Sequence, residues 1–264
     1  MKRHLRIFIY GLLIFLGSIA IGFYSQEDIS LYINRHGVDP VDYLVKKVQE
    51  HKLLLIGTYH KNPLIHNIII SALPVLVREA KIDTIFVEIP TDQQDTINSF
   101  MEESAPVYAI RMWEGIACPT YLNILLVARN LGLNIIAIDQ SLGIAGSRDT
   151  WMVQEILSYY ALHPDTKGLV VAGERHVLKG IKWSHTIEPS LADLLGVSGA
   201  FSVVMWPDAI DGHCPKALDI EPRLFSGVKD AALMSMNIKP QVGLASAADG
   251  VILLPASIIR SPKG

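Results

Sequence analysis

The chain has no G-x-S-x-G turn, no P-loop and no G-x-G-x-x-G fingerprint. Their absence argues against a serine α/β-hydrolase, a P-loop NTPase and a dinucleotide-binding dehydrogenase. Basic clusters are also missing, and a net charge of −3 over 264 residues leaves no electrostatic footprint for nucleic acid. Cysteine is scarce: Cys118 and Cys214 are the only two, and neither stands in a metal-ligand spacing. In an oxidising compartment they either pair or remain free thiols. No low-complexity tract occurs, and nothing repeats except one four-residue figure, G-x-x-H.

What the sequence does hold is a hydrophobic half, enough for one sizeable core. It is arranged in short uninterrupted runs. Residues 53–56, 84–89, 134–139, 169–172, 201–206 and 251–254 each read as a strand, the first two and 169–172 as strands buried on both faces. Helical spacings lie between them. Asp39-Pro40 opens one, with Val41, Leu44, Val45 and Val48 on its apolar face. Asn62-Pro63 precedes another, which Pro74 kinks or ends. Further helices are expected at about 92–103, 120–131, 149–161 and 189–195. Strands alternating with helices of this length predict a three-layer α/β fold. A mostly parallel sheet flanked by helices would occupy residues 28–264 as a single domain. Residues 208–248, rich in Gly, Pro, Ala and Asp, read as an excursion or a small subdomain between the last two strands.

The N-terminus has a different character. Lys2, Arg3 and Arg6 precede an uncharged segment, residues 7–24. That is long enough to cross a bilayer, which takes roughly 17–25 apolar residues. Residues 1–27 are therefore expected to be a transmembrane anchor. A signal segment is the alternative, because Ser18-Ile19-Ala20 offers a small-x-small cleavage site. The basic flank stays cytoplasmic and the rest is exported, to the periplasm in a bacterium.

The chemistry gathers at two corners. In Gly57–His60 (GTYH) and Gly173–His176 (GERH), a histidine stands three residues beyond the glycine that closes an apolar run. The carboxyl ends of strands in an open α/β sheet are where ligands bind. Glu88 sits inside the apolar stretch IFVEIP, and a buried carboxylate needs a partner charge or a cation. Arg148 stands at a helix start, where the helix dipole opposes a cation by about 0.3–1 kcal/mol. Either Asp149 compensates it at the surface, or it points into the cleft to hold Glu88 or stabilise an anionic transition state. Asp139, ending its own strand, reads as an orienting partner for a histidine. Thr58 and Tyr59 offer hydroxyls in the first turn, and Glu174 and Arg175 lie inside the second motif. Two chemistries stay open. His60, Glu88 and His176 suit a divalent metal with open positions, or a general base with its orienting group acting on water.

In the order GTYH (57–60), VEIP (87–90), RDTWM (148–152) and GERH (173–176), the chain resembles the TraB/Tiki, ChaN-like and erythromycin-esterase-like superfamily. The resemblance covers roughly residues 50–206 and implies a site at the strand ends of a helix-flanked sheet. Its branches imply different activities: metal-dependent proteolysis, ester hydrolysis by a histidine-activated water, and haem binding. The favoured expectation is a membrane-attached exported hydrolase acting on a peptide or small-molecule ester. His60, Glu88, Arg148 and His176 would then be catalytic, the metal ligands being His60, Glu88 and His176. The alternative is a ChaN-like haem- or ligand-binding protein without turnover, with Tyr59 as a candidate axial ligand. The chain lacks the lipobox cysteine of the ChaN pattern and the large helical insertion of the esterases.

The membrane expectation is checked by fractionation. The full-length chain should pellet with membranes, and deletion of residues 1–26 should release it. A soluble processed chain beginning near Ile21 would instead identify a cleaved signal.

Overall fold

Along strand β1 (Leu53–Thr58), alternate side chains enter two different cores. Leu54 and Ile56 pack to one side of the sheet, Leu53 and Leu55 to the other. Strand β4 (Gly168–Gly173) does the same with Leu169 and Val171 against Val170 and Ala172. A strand with both faces covered must be apolar at every position, which is why these segments read as continuous runs.

The protein is described by a computed structural model over residues 26–141, 143–180, 188–196, 199–210, 214–225 and 247–255. The expected membrane segment at 7–24 lies outside the described residues. The remaining strands are β2 (Thr84–Pro90), β3 (Asn134–Asp139), β5 (Phe201–Ile210), β6 (Lys216–Asp219) and β7 (Gly250–Pro255). They form one seven-stranded sheet in the order β3-β2-β4-β1-β5-β7-β6. All pairings are parallel except β6 with β7.

The first core is covered by α2 (Pro40–Glu50), α3 (Pro63–Val75), α4 (Gln94–Met101) and α5 (Pro119–Asn130), through residues such as Leu44, Ile69, Phe100 and Leu125. The second is covered by α6 (Arg148–Leu162), α7 (Glu174–Val177), α8 (Leu191–Gly196) and α9 (Pro222–Phe225), through Met152, Val177, Leu195 and Phe225. Three layers result. Side-chain caps hold several helix starts. Asp39 accepts from the amides of Val41 and Asp42, and Asn62 from those of Leu64 and Ile65. Each such cap typically contributes about 1 kcal/mol.

Several expectations need correction. A helix, α1 (Gln26–His36), precedes the one opened by Asp39-Pro40 and has no counterpart among the expected helices. Its polar sequence hides it, although Tyr32 and Ile33 pack against the second core. Pro74 does not end its helix; α3 runs through to Val75 and loosens into a π-helical turn, Leu76–Ala80. The helix expected at about 92–103 begins as a 3₁₀ turn, Thr91–Gln93, and is α-helical only over Gln94–Met101, with no side-chain cap. The region read as an excursion contains β6 and α9, while 211–213 and 226–246 lie outside the described residues.

The strand order builds the site. β1 and β4 are neighbours with Thr58 opposite Gly173, so the two G-x-x-H corners share one edge at one level. On the other side of β4 lie β2, carrying Glu88, and then β3, ending at Asp139. Close approach explains the first glycine. A Cβ on Gly57 would meet Val177 Cγ2 at 2.3 Å and Glu174 Cα at 3.2 Å. Gly57→Ala should therefore cost about 1–3 kcal/mol in a denaturant titration, by displacing α7. Gly196→Ala, where nothing lies within 4 Å of the added carbon, should stay near wild type and serves as the control.

Candidate active site

Glu88 is 3% exposed near the end of β2. It has the parity of Phe86, which faces the second core, and so turns toward the layer that α6 begins. Both carboxylate oxygens are engaged. Oε1 accepts from Arg148 Nη2 at 2.8 Å, and Oε2 accepts from the Gly173 amide at 2.6 Å. Burial pushes its pKa up, but His176, His60 and Arg148 outweigh burial and hold it well below the usual carboxylate range.

Arg148 is the first residue of α6, whose N-cap is Ser147. Its Nε donates to Asp139 Oδ1 at 2.9 Å, and its Nη2 donates to Asp139 Oδ2 as well as to Glu88. Asp139 is fully buried and also accepts from Trp113 Nε1 and from the Gln140 amide. The Arg148 guanidinium lies 5.6 Å from the centre of the Trp113 ring. Two carboxylates and an aromatic face thus outweigh the unfavourable helix dipole. Burial alone would lower the Arg148 pKa; the hydrogen bond to Asp139 and both carboxylate charges raise it instead. Asp139 is therefore the partner of the arginine, not of a histidine.

His176 is 1% exposed on α7. Its Nδ1 lies 2.7 Å from Asp149 Oδ1, and its Nε2 lies 3.4 Å from Glu88 Oε1. Burial favours the neutral ring, but the Glu88 charge, then the Asp149 hydrogen bond, push the pKa up to about 9. At neutral pH the ring is an imidazolium between two carboxylates. Asp149 is itself fixed, accepting from the Leu191 amide at 2.8 Å at the start of α8. It serves His176 rather than neutralising Arg148.

His60 differs from the rest. The residue is exposed, and the Nε2–Cε1 edge of its ring lies against Gly173. A Cβ there would sit 2.7 Å from His60 Nε2 and 3.3 Å from Glu88 Oε2. The second glycine is thus needed for the first histidine to approach Glu88. The turn Trp113–Ala117 brings Gly115 near the same ring, where an added Cβ would lie 3.9 Å from His60 Cδ2. Partial burial lowers the His60 pKa; Glu88 raises it, and His176, Arg148 and Arg175 lower it further.

The structure thus brings together His60, Glu88, Arg148 and His176, and adds Asp139, Asp149 and Trp113. The metal expectation does not fit this arrangement. Both Glu88 oxygens already have donors, and His176 Nδ1 is held by Asp149; only the buried His176 Nε2, 3.4 Å from Glu88 Oε1, lacks a hydrogen-bond partner. Among the described residues, no group of three or more His, Cys, Asp or Glu is set to hold a metal ion. As for haem, Tyr59 is half-buried and packs against the first core, while His60 is exposed beside Gly173. Cys118 and Cys214 are free thiols. Trp113, which holds Asp139, carries no signal in the sequence, and Asp149, expected only beside Arg148, holds His176 instead.

By structure, the chain is similar to a protein from Bacillus cereus, with a TM-score of 0.60 at 10% identity over 88% of this chain and 98% of that one. It is also similar to a mutant of the erythromycin esterase EreC in its open conformation, with a TM-score of 0.58 at 10% identity over 81% and 93%. ChaN of Campylobacter jejuni, solved with cofacially bound haem, reaches a TM-score of 0.47 at 10% identity over 82% and 95%, too slight to carry weight. At such identities the likeness shows the fold alone, and that fold is the one the superfamily resemblance implied. No family model matches the chain, and no curated protein matches it.

The charge state of His176 sets a dependence of stability on pH. A histidine whose pKa rises on folding, from 6.5 to about 9, stabilises fully below 6.5 and loses that contribution as pH climbs through about 9. The stability gap between wild type and His176→Gln should therefore be widest at and below pH 6.5, on the order of a few kcal/mol. It should close above pH 9, as read from urea midpoints. Asp149→Asn should begin that closure at a lower pH.

Proposed function

We propose that the chain is a hydrolase in which His60 activates water, Glu88 steadies the charge that His60 acquires, and Arg148 supports the developing oxyanion. The observation that carries this is the contrast within the cluster. Glu88, Arg148, His176, Asp139 and Asp149 are tied to one another, whereas His60 is the most exposed of the cluster and is tuned toward its neutral form. A general base needs both properties.

In the proposed step a water O–H bond breaks and its proton passes to a ring nitrogen of His60. The oxygen bonds to the substrate carbonyl carbon, and the C=O electron pair moves onto oxygen. Arg148 commits Nε and Nη2 to Asp139 and Glu88, which leaves its Nη1 donors for that oxyanion. Collapse re-forms C=O and breaks the ester C–O or amide C–N bond. The leaving group takes the proton back from His60. Glu88 favours the protonated ring during the cycle, while the fixed charge of His176 keeps Glu88 ionised. Peptides and small-molecule esters are the substrate classes of this reading, with residues 7–24 as the membrane attachment.

Activity on a panel of p-nitrophenyl esters and chromogenic peptides tests it. His60→Ala should lower kcat/KM by roughly 10²–10⁴-fold while leaving the melting temperature nearly unchanged. Because the His60 pKa is lowered from 6.5, the acid limb of kcat/KM should inflect below 6.5, with the rate held above that point. Full activity in His60→Ala, with loss on chelation instead, would defeat the reading and return the site to a metal.

A further inference from the structure

Beside the charged cluster lies a cavity of about 370 Å³, bounded by Pro90, Asp92, Gln93, Arg111, Met112 and Trp113. That volume is in the range of small-molecule sites. It shares its walls with the site. Trp113 hydrogen-bonds Asp139 and lies under Arg148, and Pro90 is paired with Asp139 across the β2–β3 register. A molecule resting on Trp113 and Pro90 is therefore next to the groups assigned to the reaction.

The polar rim is built rather than casual. Gln93 is 3% exposed; its Oε1 accepts from the Arg111 amide at 3.0 Å, and its Nε2 donates to Asp92 Oδ1 at 3.0 Å. The buried amide thus fixes both the strand of loop that carries Arg111 and the carboxylate facing it. Asp92 Oδ2 comes no closer than 3.6 Å to Arg111 Nη2, beyond hydrogen-bond reach. Asp92 already has a donor on its other oxygen. Among the described residues, the Arg111 guanidinium has only that one ion pair, and its side chain is 79% exposed. Its planar fork of donors matches a carboxylate in bidentate geometry. The apolar wall of Pro90, Met112 and Trp113 matches an aryl or branched alkyl group.

We propose that this cavity holds the apolar, carboxylate-bearing half of the substrate, with the hydrocarbon on Trp113 and Met112 and the carboxylate in the fork of Arg111. The substrate class is then an ester or amide formed on an apolar hydroxy- or amino acid whose own carboxylate is free. Its use as a substrate subsite rests on the hydrolase reading; the binding of such an acid does not.

Calorimetric titration of the full chain with 3-phenylpropionate and with uncharged 3-phenylpropan-1-ol separates the two. The acid should bind at least about tenfold more tightly than the alcohol, as one charge-assisted bidentate contact allows. Arg111→Met should bring the acid down to the level of the alcohol, and Arg111→Lys should restore part of the difference. Met112→Asp should weaken both ligands. Equal binding of acid and alcohol, or an Arg111→Met chain that binds the acid as wild type does, would overturn the proposal. In parallel, the wild type should hydrolyse N-acetyl-phenylalanine or O-acetyl-phenyllactate faster than their methyl esters, a preference that Arg111→Met should erase. Acid binding without any turnover would strike the hydrolase reading and the substrate role of the cavity together. Turnover of simple esters without acid binding would strike the cavity alone.

Discussion

The carboxylate of Glu88 is the constraint on which the site depends. An ionised carboxylate in an apolar strand costs several kcal/mol unless it is surrounded by donors and opposite charge. Three elements supply them: the first residue of α6 through Arg148, the backbone of β4 through the Gly173 amide, and α7 through His176. Each partner is in turn anchored by another carboxylate, Asp139 for Arg148 and Asp149 for His176. The result alternates sign along Asp139, Arg148, Glu88, His176 and Asp149. Removing an interior member takes an opposite charge from each of its two neighbours and leaves them only their remaining hydrogen bonds, so the members are energetically coupled.

Much of this was legible in the sequence, for definite reasons. The strands covered on both faces appear as apolar runs, and Glu88 stands out because it is the charge inside one of them. The glycines of the two G-x-x-H figures are informative because backbone and ring must approach closely: Val177 against Gly57, His60 against Gly173. What stayed hidden is tertiary. Residues 216–219, KALD, are too short to carry a period, and α1 is too polar to announce a core face. Ligand types alone suggested a metal, since two histidines and a glutamate are good donors. Whether their lone pairs are already used depends on Arg148, Asp149 and the Gly173 amide, which arrive from elsewhere in the chain.

The two histidines show how similar local motifs diverge by environment. His176 is enclosed by carboxylates and carries a proton through neutral pH; His60, at the rim, is eased toward neutrality. Charge on the inner ring keeps Glu88 ionised, and an ionised Glu88 is what an outer ring needs when it takes a proton. The strand order β3-β2-β4-β1 is what lets these opposite states sit side by side, because it lines up four strand ends from distant parts of the chain.

The far edge of the sheet is blunted against pairing with another chain. Strand β6 is only four residues long, with Lys216 and Asp219 at its ends. Among the described residues, its outer side meets Val38 in one bridge to Ala217, made of two hydrogen bonds of 2.9 Å. Just before that bridge, α1 touches α9 through the edge-on rings of Tyr32 and Phe225. A short, charged edge of this kind offers little template for a strand from a second molecule.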